Sequence, residues 1–402
     1  MEFHCDYYNE SAQPHSWLHR LLISAVDFLS WFSRKTIPAR EVKKILILRH
    51  DRIGDLAYST HLFYNLKKYY PQAQLDVLIS SSCRELVELN PRIDHIIESD
   101  LWWFNYKENS SLGSRVWGGI KSLFDPEFGR ICGILRKNRY DVVIDCVGKK
   151  RSVILAWLSV ARYRICFKSL ILSFLCTNRV ELNNDLHVTA FWGHLLAPLG
   201  ITSPELELEI SLPLDYLKRN EQFKLEKGLK DNDIILGIHP GFGGDPTRQW
   251  ENQKWIELIK SLMRENYKII FFYGPREEVF AEEITSRFRA ENNFIIVKDS
   301  LESMMEKFKL LKVLICIDSG PMHLADVLGV PLVSLFAREN PTRWRPVITH
   351  HFRLIRKLKG IGCPRYNCPT RACINAIQSG EVLDEIKDLL SSICLDSETK
   401  PE

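Results

Sequence analysis

The segment Asp318-Ser319-Gly320-Pro321-Met322-His323 combines residue types that can bind a phosphate-bearing ligand with hydroxyls. It follows the apolar run Val313 to Ile317 and precedes Leu324 to Leu328, which reads as strand, tight turn, helix. Ser319 is expected to cap the helix, Gly320 to allow close backbone approach, and Pro321 to occupy the first turn. The positive end of such a helix attracts anions. Asp318 adds an acceptor and His323 a donor beside it, with Met322 between them.

A second constellation, Arg49-His50-Asp51-Arg52-Ile53-Gly54-Asp55, ends the first β-branched run. Asp55 is expected near the start of the next helix, as an N-cap carboxylate or as a general base. Gly54 is expected to allow the exposing turn, and Arg49 and Arg52 to bracket the loop as phosphate ligands or solvated charges. A third stretch, His239-Pro240-Gly241-Phe242-Gly243-Gly244-Asp245-Pro246-Thr247-Arg248-Gln249-Trp250, offers glycine amides and a fixed cation to a diphosphate. The Tyr273-Gly274-Pro275-Arg276-Glu277-Glu278 loop carries carboxylates that suit a ribose or simply complement a helix dipole. Asp231-Asn232-Asp233 has the D-x-D form of some metal sites but precedes its strand, and reads as a solvated turn.

These loops need a scaffold, and the hydrophobic pattern supplies one. From Lys43 onward, short apolar runs alternate with helical segments: strands at 45–48, 75–79, 93–98 and 142–146, helices at 56–69, 82–89 and 152–161. The alternation restarts after 214–232, with strands at 234–238, 268–272, 294–297, 313–317 and 332–336. Such patterns predict α/β architecture: two doubly wound parallel sheets, each with helices on both faces. The expected division is an N-terminal extension (1–40), a first Rossmann-like domain (41–212), a linker (213–232), a second Rossmann-like domain (233–379) and a closing helix and tail (380–402). Two such units are expected to leave a cleft at the carboxyl ends of their strands. The tryptophan-rich stretch 101–128 reads as an insertion.

A length of 402 residues suits two domains, and 45% hydrophobic with 26% charged residues is ordinary for a globular protein. The net charge of +4 and the lack of dense basic runs argue against nucleic acid. Eleven scattered cysteines, mostly inside apolar runs, suit reduced thiols in a cytoplasmic setting. Cys363, Cys368 and Cys373 are too loosely spaced for the usual zinc pairs and read as loop thiols. Residues 17–33 form one apolar helical face with Trp17 and Trp31 at its ends, suited to a membrane surface or to the protein's own core.

Together these motifs resemble glycosyltransferase family 9, the ADP-heptose:lipopolysaccharide heptosyltransferases, over roughly residues 44–393. The Arg49–Asp55 loop is similar to the family's first-domain signature, and Val142-Val143-Ile144-Asp145-Cys146 with Gly148, Arg151 and Ser152 to its acceptor-side strand and loop. Pro240-Gly241 with Arg248 and Trp250 resembles its donor-phosphate loop, and Asp318–Ala325 its most diagnostic segment. The resemblance implies a GT-B fold and inverting, metal-independent transfer of a heptose from ADP-heptose to a lipid-linked core sugar, without a cofactor. It implies Asp55 as base and places donor binding at Gly241, Thr247, Arg248, Glu278, Asp318, Ser319, Gly320, Pro321, Met322 and His323. Acceptor contacts are implied at Arg49, Arg52, Gly54 and Arg151, with a cytoplasmic enzyme peripheral to the inner membrane. The chain departs from the family pattern at His61 and Glu251, where proline is usual, and at Ala337-Arg338-Glu339, where Gly-Pro-Thr is usual. That last change keeps open a transferase of the same fold using another nucleotide sugar, for O-antigen or capsule. A non-catalytic sugar-nucleotide-binding protein is the other alternative.

Overall fold

The computed structural model describes residues 37–50, 52–100, 125–168, 171–241, 245–357, 368 and 370–399. The expected helix at 17–33, Cys363 and most of the 101–128 stretch lie outside them. Two compact units divide between Glu209 and Ile210.

The first unit is a six-stranded parallel sheet of β1 (Lys44–Leu48), β2 (Gln74–Ile79), β3 (His95–Glu98), β4 (Val142–Asp145), β5 (Tyr163–Phe167) and β6 (Asn178–Val180). Its spatial order is β3-β2-β1-β4-β5-β6. The chain steps outward from β1 to β3, then returns to β4 beside β1 and steps outward on the other side. That reversal creates a crevice at the carboxyl ends of β1 and β4, where doubly wound sheets bind ligands. Ile45 through Leu48 are buried, the continuous apolar signature of a strand covered on both faces. Helix α1 (Ile53–Tyr69) follows β1 and is buried on most of its circumference, including Ser59, Thr60, His61 and Asn65. Ser59 and Thr60 donate back to the carbonyls of Leu56 and Ala57, which removes the cost of burying their hydroxyls. Helices α2 (Pro126–Asn138) and α3 (Lys150–Leu158) pack against the same sheet through Ile131, Leu135, Leu155 and Ala156. Residues 125–128 are therefore the capped start of α2, with Asp125 accepting the Glu127 amide, rather than part of an insertion. A short helix, α4 (Val188–Gly193), carries Trp192.

The second unit repeats the plan. Its strands are β7 (Ile235–His239), β8 (Lys268–Phe272), β9 (Phe294–Val297), β10 (Val313–Ile317), β11 (Leu332–Phe336) and β12 (Phe352–Arg356). All are parallel, in the order β12-β11-β10-β7-β8-β9, which puts the reversal between β7 and β10. The 213–232 segment is more than a connection. It contains α5 (Tyr216–Lys227), whose Asn220 donates to the Glu306 carbonyl and whose Arg219 pairs with the Glu306 carboxylate. Asp231 sits in an exposed turn before β7, paired with Lys224.

Helix α6 (Asn252–Arg264) lays Trp255, Ile256, Ile259 and Leu262 on the sheet. Trp250 and Trp255 meet edge to face at 4.9 Å, and the Trp250 indole donates to the Ile377 carbonyl. Helices α7 (Glu278–Phe288), α8 (Leu301–Phe308) and α9 (Gly320–Val327) complete the βα alternation. The closing helix α10 (Ser379–Thr399) contributes Val382, Ile386 and Leu389 to the core. It belongs to the second unit's packed interior.

Candidate active site

In the first unit, the loop after β1 enters α1 at Ile53 with Arg52 at the N-cap in extended conformation and no side-chain cap. Gly54 lies inside the helix, so it is not the turn residue expected. Asp55 is the third helical residue, not the N-cap. Its partly exposed carboxylate lies 3.6 Å from the Arg49 guanidinium. Arg52 is exposed, and Arg151 is partly buried in the first turn of α3.

Arg49 itself is buried, which changes its expected part. Its guanidinium stacks 3.7 Å over the Trp192 ring and donates to the Cys146 carbonyl at 2.9 Å. It is a charge held in place beside Asp55. Across the switch point, Asp145 ends β4 fully buried. Its carboxylate accepts the Ser152 hydroxyl at 2.8 Å and the amides of Val147 and Gly148. Burial nonetheless raises its pKa to about 6, with those hydrogen bonds and Arg49 opposing the rise. Gly148 adopts φ +65, which an L side chain resists, and the turn lets α3 start beneath the loop. His50 is buried beside Arg49 and Lys149; burial first and those two cations second lower its pKa to about 3. The ring is neutral at physiological pH.

In the second unit, the carboxyl ends of β7 and β8 bring His239, Gly241, Gly274 and Glu277 together. The Gly241 amide donates to His239 Nδ1 at 3.1 Å, and the Gly274 amide to the Glu277 carboxylate at 3.1 Å. A Cβ built on Gly241 would come within 2.4 Å of the His239 ring and 3.1 Å of the Glu277 carboxylate, so only glycine fits there. Glu277 is buried, and burial raises its pKa while the Gly274 amide and Arg276 oppose it. Glu278, the carboxylate singled out from sequence, is exposed at the start of α7 and pairs with Lys298 at 2.6 Å. The loop's inward acid is Glu277.

At the β7–β10 switch point the charges are denser. The Arg248 guanidinium donates to the Asp318 backbone carbonyl at 2.8 Å and to a Glu339 carboxylate oxygen at 2.5 Å. It also lies 3.5 Å from the Asp318 carboxylate and 3.6 Å from that of Asp245. Thr247 donates its amide and hydroxyl to Asp245. Burial would raise the Asp245 carboxyl, but Thr247, Arg338 and Arg248 bring it below the ordinary value. Arg338 forms an ion pair with Asp245 at 3.0 Å. Sequence reasoning quoted Asp245, Arg338 and Glu339 without assigning them to this network.

Ser319 occupies the N-cap position of α9 with extended backbone, but its hydroxyl donates to the Ile317 carbonyl instead of accepting a helix amide. The expected serine cap is absent. Gly320 and Pro321 form the first helical positions, with Met322 and His323 buried behind them. The His323 ring lies 5.5 Å from the Trp344 ring. The buried Asp326 of α9 accepts the amides of Val347, Ile348 and Thr349, tying the segment after Trp344 to this helix.

Each of the two doubly wound sheets gathers charged residues at its strand reversal, where sheets of this kind bind ligands. The sequence profile of glycosyltransferase family 9 (heptosyltransferase) matches residues 129–370, more than half of the chain. The chain belongs to glycosyltransferase family 9. It is 25% identical over 365 residues to lipopolysaccharide heptosyltransferase 2 of Salmonella typhimurium, covering 87% of this chain and 99% of that one. Among solved structures it resembles the glycosyl transferase family 9 protein from Veillonella parvula, with TM-score 0.69 and 20% identity over 90% of this chain and 99% of that one. It also resembles the E. coli ADP-heptose lps heptosyltransferase II, with TM-score 0.67 and 22% identity over 87% and 99%. The fold of this glycosyltransferase is therefore GT-B, as expected. No described helix is long and apolar enough to cross a membrane.

Proposed function

We propose that this family 9 glycosyltransferase moves a heptose from ADP-heptose to a lipopolysaccharide-core acceptor, with inversion and without a divalent metal. The observation that supports the chemistry best is Asp55, a partly exposed carboxylate in the first turn of α1, held beside the buried Arg49. The relative's name supports the sugar and the acceptor, and the name of the solved E. coli protein supports the donor.

In this reading Asp55 takes the proton from the acceptor hydroxyl. That oxygen forms a bond to the anomeric carbon as the bond from that carbon to the diphosphate oxygen breaks, and ADP leaves with the electron pair. A single displacement inverts the centre, by analogy with hydrolases that act without a nucleophilic carboxylate. The second unit's Arg248, the Gly241 backbone and the α9 end at Gly320 hold the diphosphate, with Asp318 and His323 alongside. Fixed donors of this kind each contribute about 3 kcal/mol where charge develops. Glu277 replaces Glu278 as the proposed partner of the ribose hydroxyls, since it is the carboxylate folded into the loop. The acceptor is lipid-linked, so the enzyme works at a membrane surface.

The test is transfer by purified protein from ADP-heptose to heptose-deficient lipopolysaccharide, read by mass, with and without EDTA. Product in both samples supports the proposal. Loss of product with EDTA, restored by magnesium, contradicts the metal-free step. A donor with another base or sugar, serving O-antigen or capsule, is the second reading, favoured by Arg338-Glu339 at the phosphate end. Thermal stabilisation by UDP or GDP in place of ADP would select it.

A further inference from the structure

Among the described residues, the charge cluster at the β7–β10 switch point sets two guanidiniums, Arg248 and Arg338, against three carboxylates, Asp245, Asp318 and Glu339. A site meant to take up a diphosphate is thus already more than neutralised by its own side chains. The three carboxylates differ in how firmly they are held. Asp318 is almost fully buried, and Asp245 is tied by the Thr247 amide and hydroxyl as well as by Arg338. Glu339 is the most exposed of the three, at 26% of its side chain, and stands on the loop just past β11. One of its oxygens, Oε1, reaches both cations: Arg248 at 2.5 Å and Arg338 at 3.3 Å. A single anionic oxygen shared by two guanidiniums is the contact a phosphoryl oxygen would make.

We propose that Glu339 is an internal stand-in for the donor's diphosphate, holding Arg248 and Arg338 in the unliganded enzyme and leaving them when the nucleotide binds. This rests on the reading of the second unit as the donor site. Asp245 and Asp318 stay in place and keep the two arginines aligned through the exchange. Glu339 thereby sets donor affinity: every binding event breaks one short charge-assisted contact before it makes another.

The experiment compares wild type with Glu339→Gln, which keeps shape and removes charge, using calorimetric titration of ADP and, separately, of inorganic diphosphate. Both probes should bind the variant about tenfold more tightly, the scale of one charge contact no longer broken on binding. In an Arg248→Met background, where the shorter contact is gone, the gain from Glu339→Gln should shrink. Unchanged or weaker binding of inorganic diphosphate by Glu339→Gln would overturn the proposal, as would an undiminished gain in the Arg248→Met background. If inorganic diphosphate gains affinity while ADP binds neither form, the stand-in holds and the assignment of ADP as the donor nucleotide fails. Glu339→Ala serves as the second variant. It should reproduce the gain if charge is responsible, and a gain confined to glutamine would indicate a new amide contact and sink the idea.

Discussion

Asp55 is ordinary by residue type, and its surroundings make it a candidate base. The buried Arg49 guanidinium, fixed by the Trp192 face and the Cys146 carbonyl, lies 3.6 Å from it. Arg49→Met removes a desolvated cation–π contact and a charged hydrogen bond, so stability should fall by about 3 kcal/mol in chemical denaturation, and transfer should slow even where the protein remains folded. Stability and turnover near wild type would dismiss Arg49 as the anchor of Asp55. At this scale the sequence spoke unevenly. Asp55, Arg248 and Asp318 could be picked out because each lies in the segment that follows a clear apolar strand. Sequence pointed to Glu278 where packing turns Glu277 inward, because adjacent residues at a helix start differ by about 100° in direction and only packing decides between them. Trp192 gave no signal, since it reaches Arg49 from a distant helix; Glu339 stood out only as a departure from the family pattern, and its pairing with Arg248 spans 91 positions.

Strands were legible where the apolar run is continuous, β9 at a sheet edge included. β1, β4, β7 and β10 are continuous apolar runs and were expected within a residue or two. The strands left out of the expectation, β5, β6 and β12, lie toward sheet margins. Tyr163–Phe167 mixes in Arg164, β6 has three residues, and Phe352–Arg356 alternates with charge. The charged 214–232 stretch reads as helical and as a linker, and its α5 is indeed a helix; only Asn220 is buried in it, and its attachment to the second unit is polar. The Ser319 cap failed because its hydroxyl found the nearer Ile317 carbonyl. The α9 helix is instead held from its far end by Asp326, whose two oxygens accept three amides. Asp326→Asn leaves one acceptor oxygen for those donors and sets an amide N–H against another. It should cost about 2–3 kcal/mol and weaken ADP binding, measured by denaturation and calorimetry. A stable variant with unaltered ADP affinity would separate α9 from the donor site.

Over the whole molecule, the same strand order appears twice, and each unit buries histidine at its switch point. Burial, with Arg49 and Lys149 adding to it, lowers His50 to about 3; burial also lowers His61 and His239 to about 4. Unfolded imidazoles titrate near 6.5, so between there and pH 4 the unfolded chain binds more protons and stability falls as pH falls. Asp145 acts in the opposite sense. Its pKa is raised to about 6, so its contribution is largest below the unfolded carboxyl value and is lost as pH rises through 6. Glu277 and Glu306, raised by burial, act with Asp145, but the three rings outweigh these carboxyls, and the denaturant midpoint should be lower at pH 4.5 than at pH 7. An equal or higher midpoint at pH 4.5 would mean that these rings become charged without loss of the fold.

Heptosyl transfer through Asp55 is the claim on which the functional reading stands. Wild type and Asp55→Asn should be compared for turnover with ADP-heptose and heptose-deficient lipopolysaccharide, with ADP affinity measured on the same preparations. Loss of the base should lower turnover by roughly 10²–10⁴-fold while ADP affinity stays within about twofold. Turnover close to wild type in Asp55→Asn, with the fold intact, would contradict it.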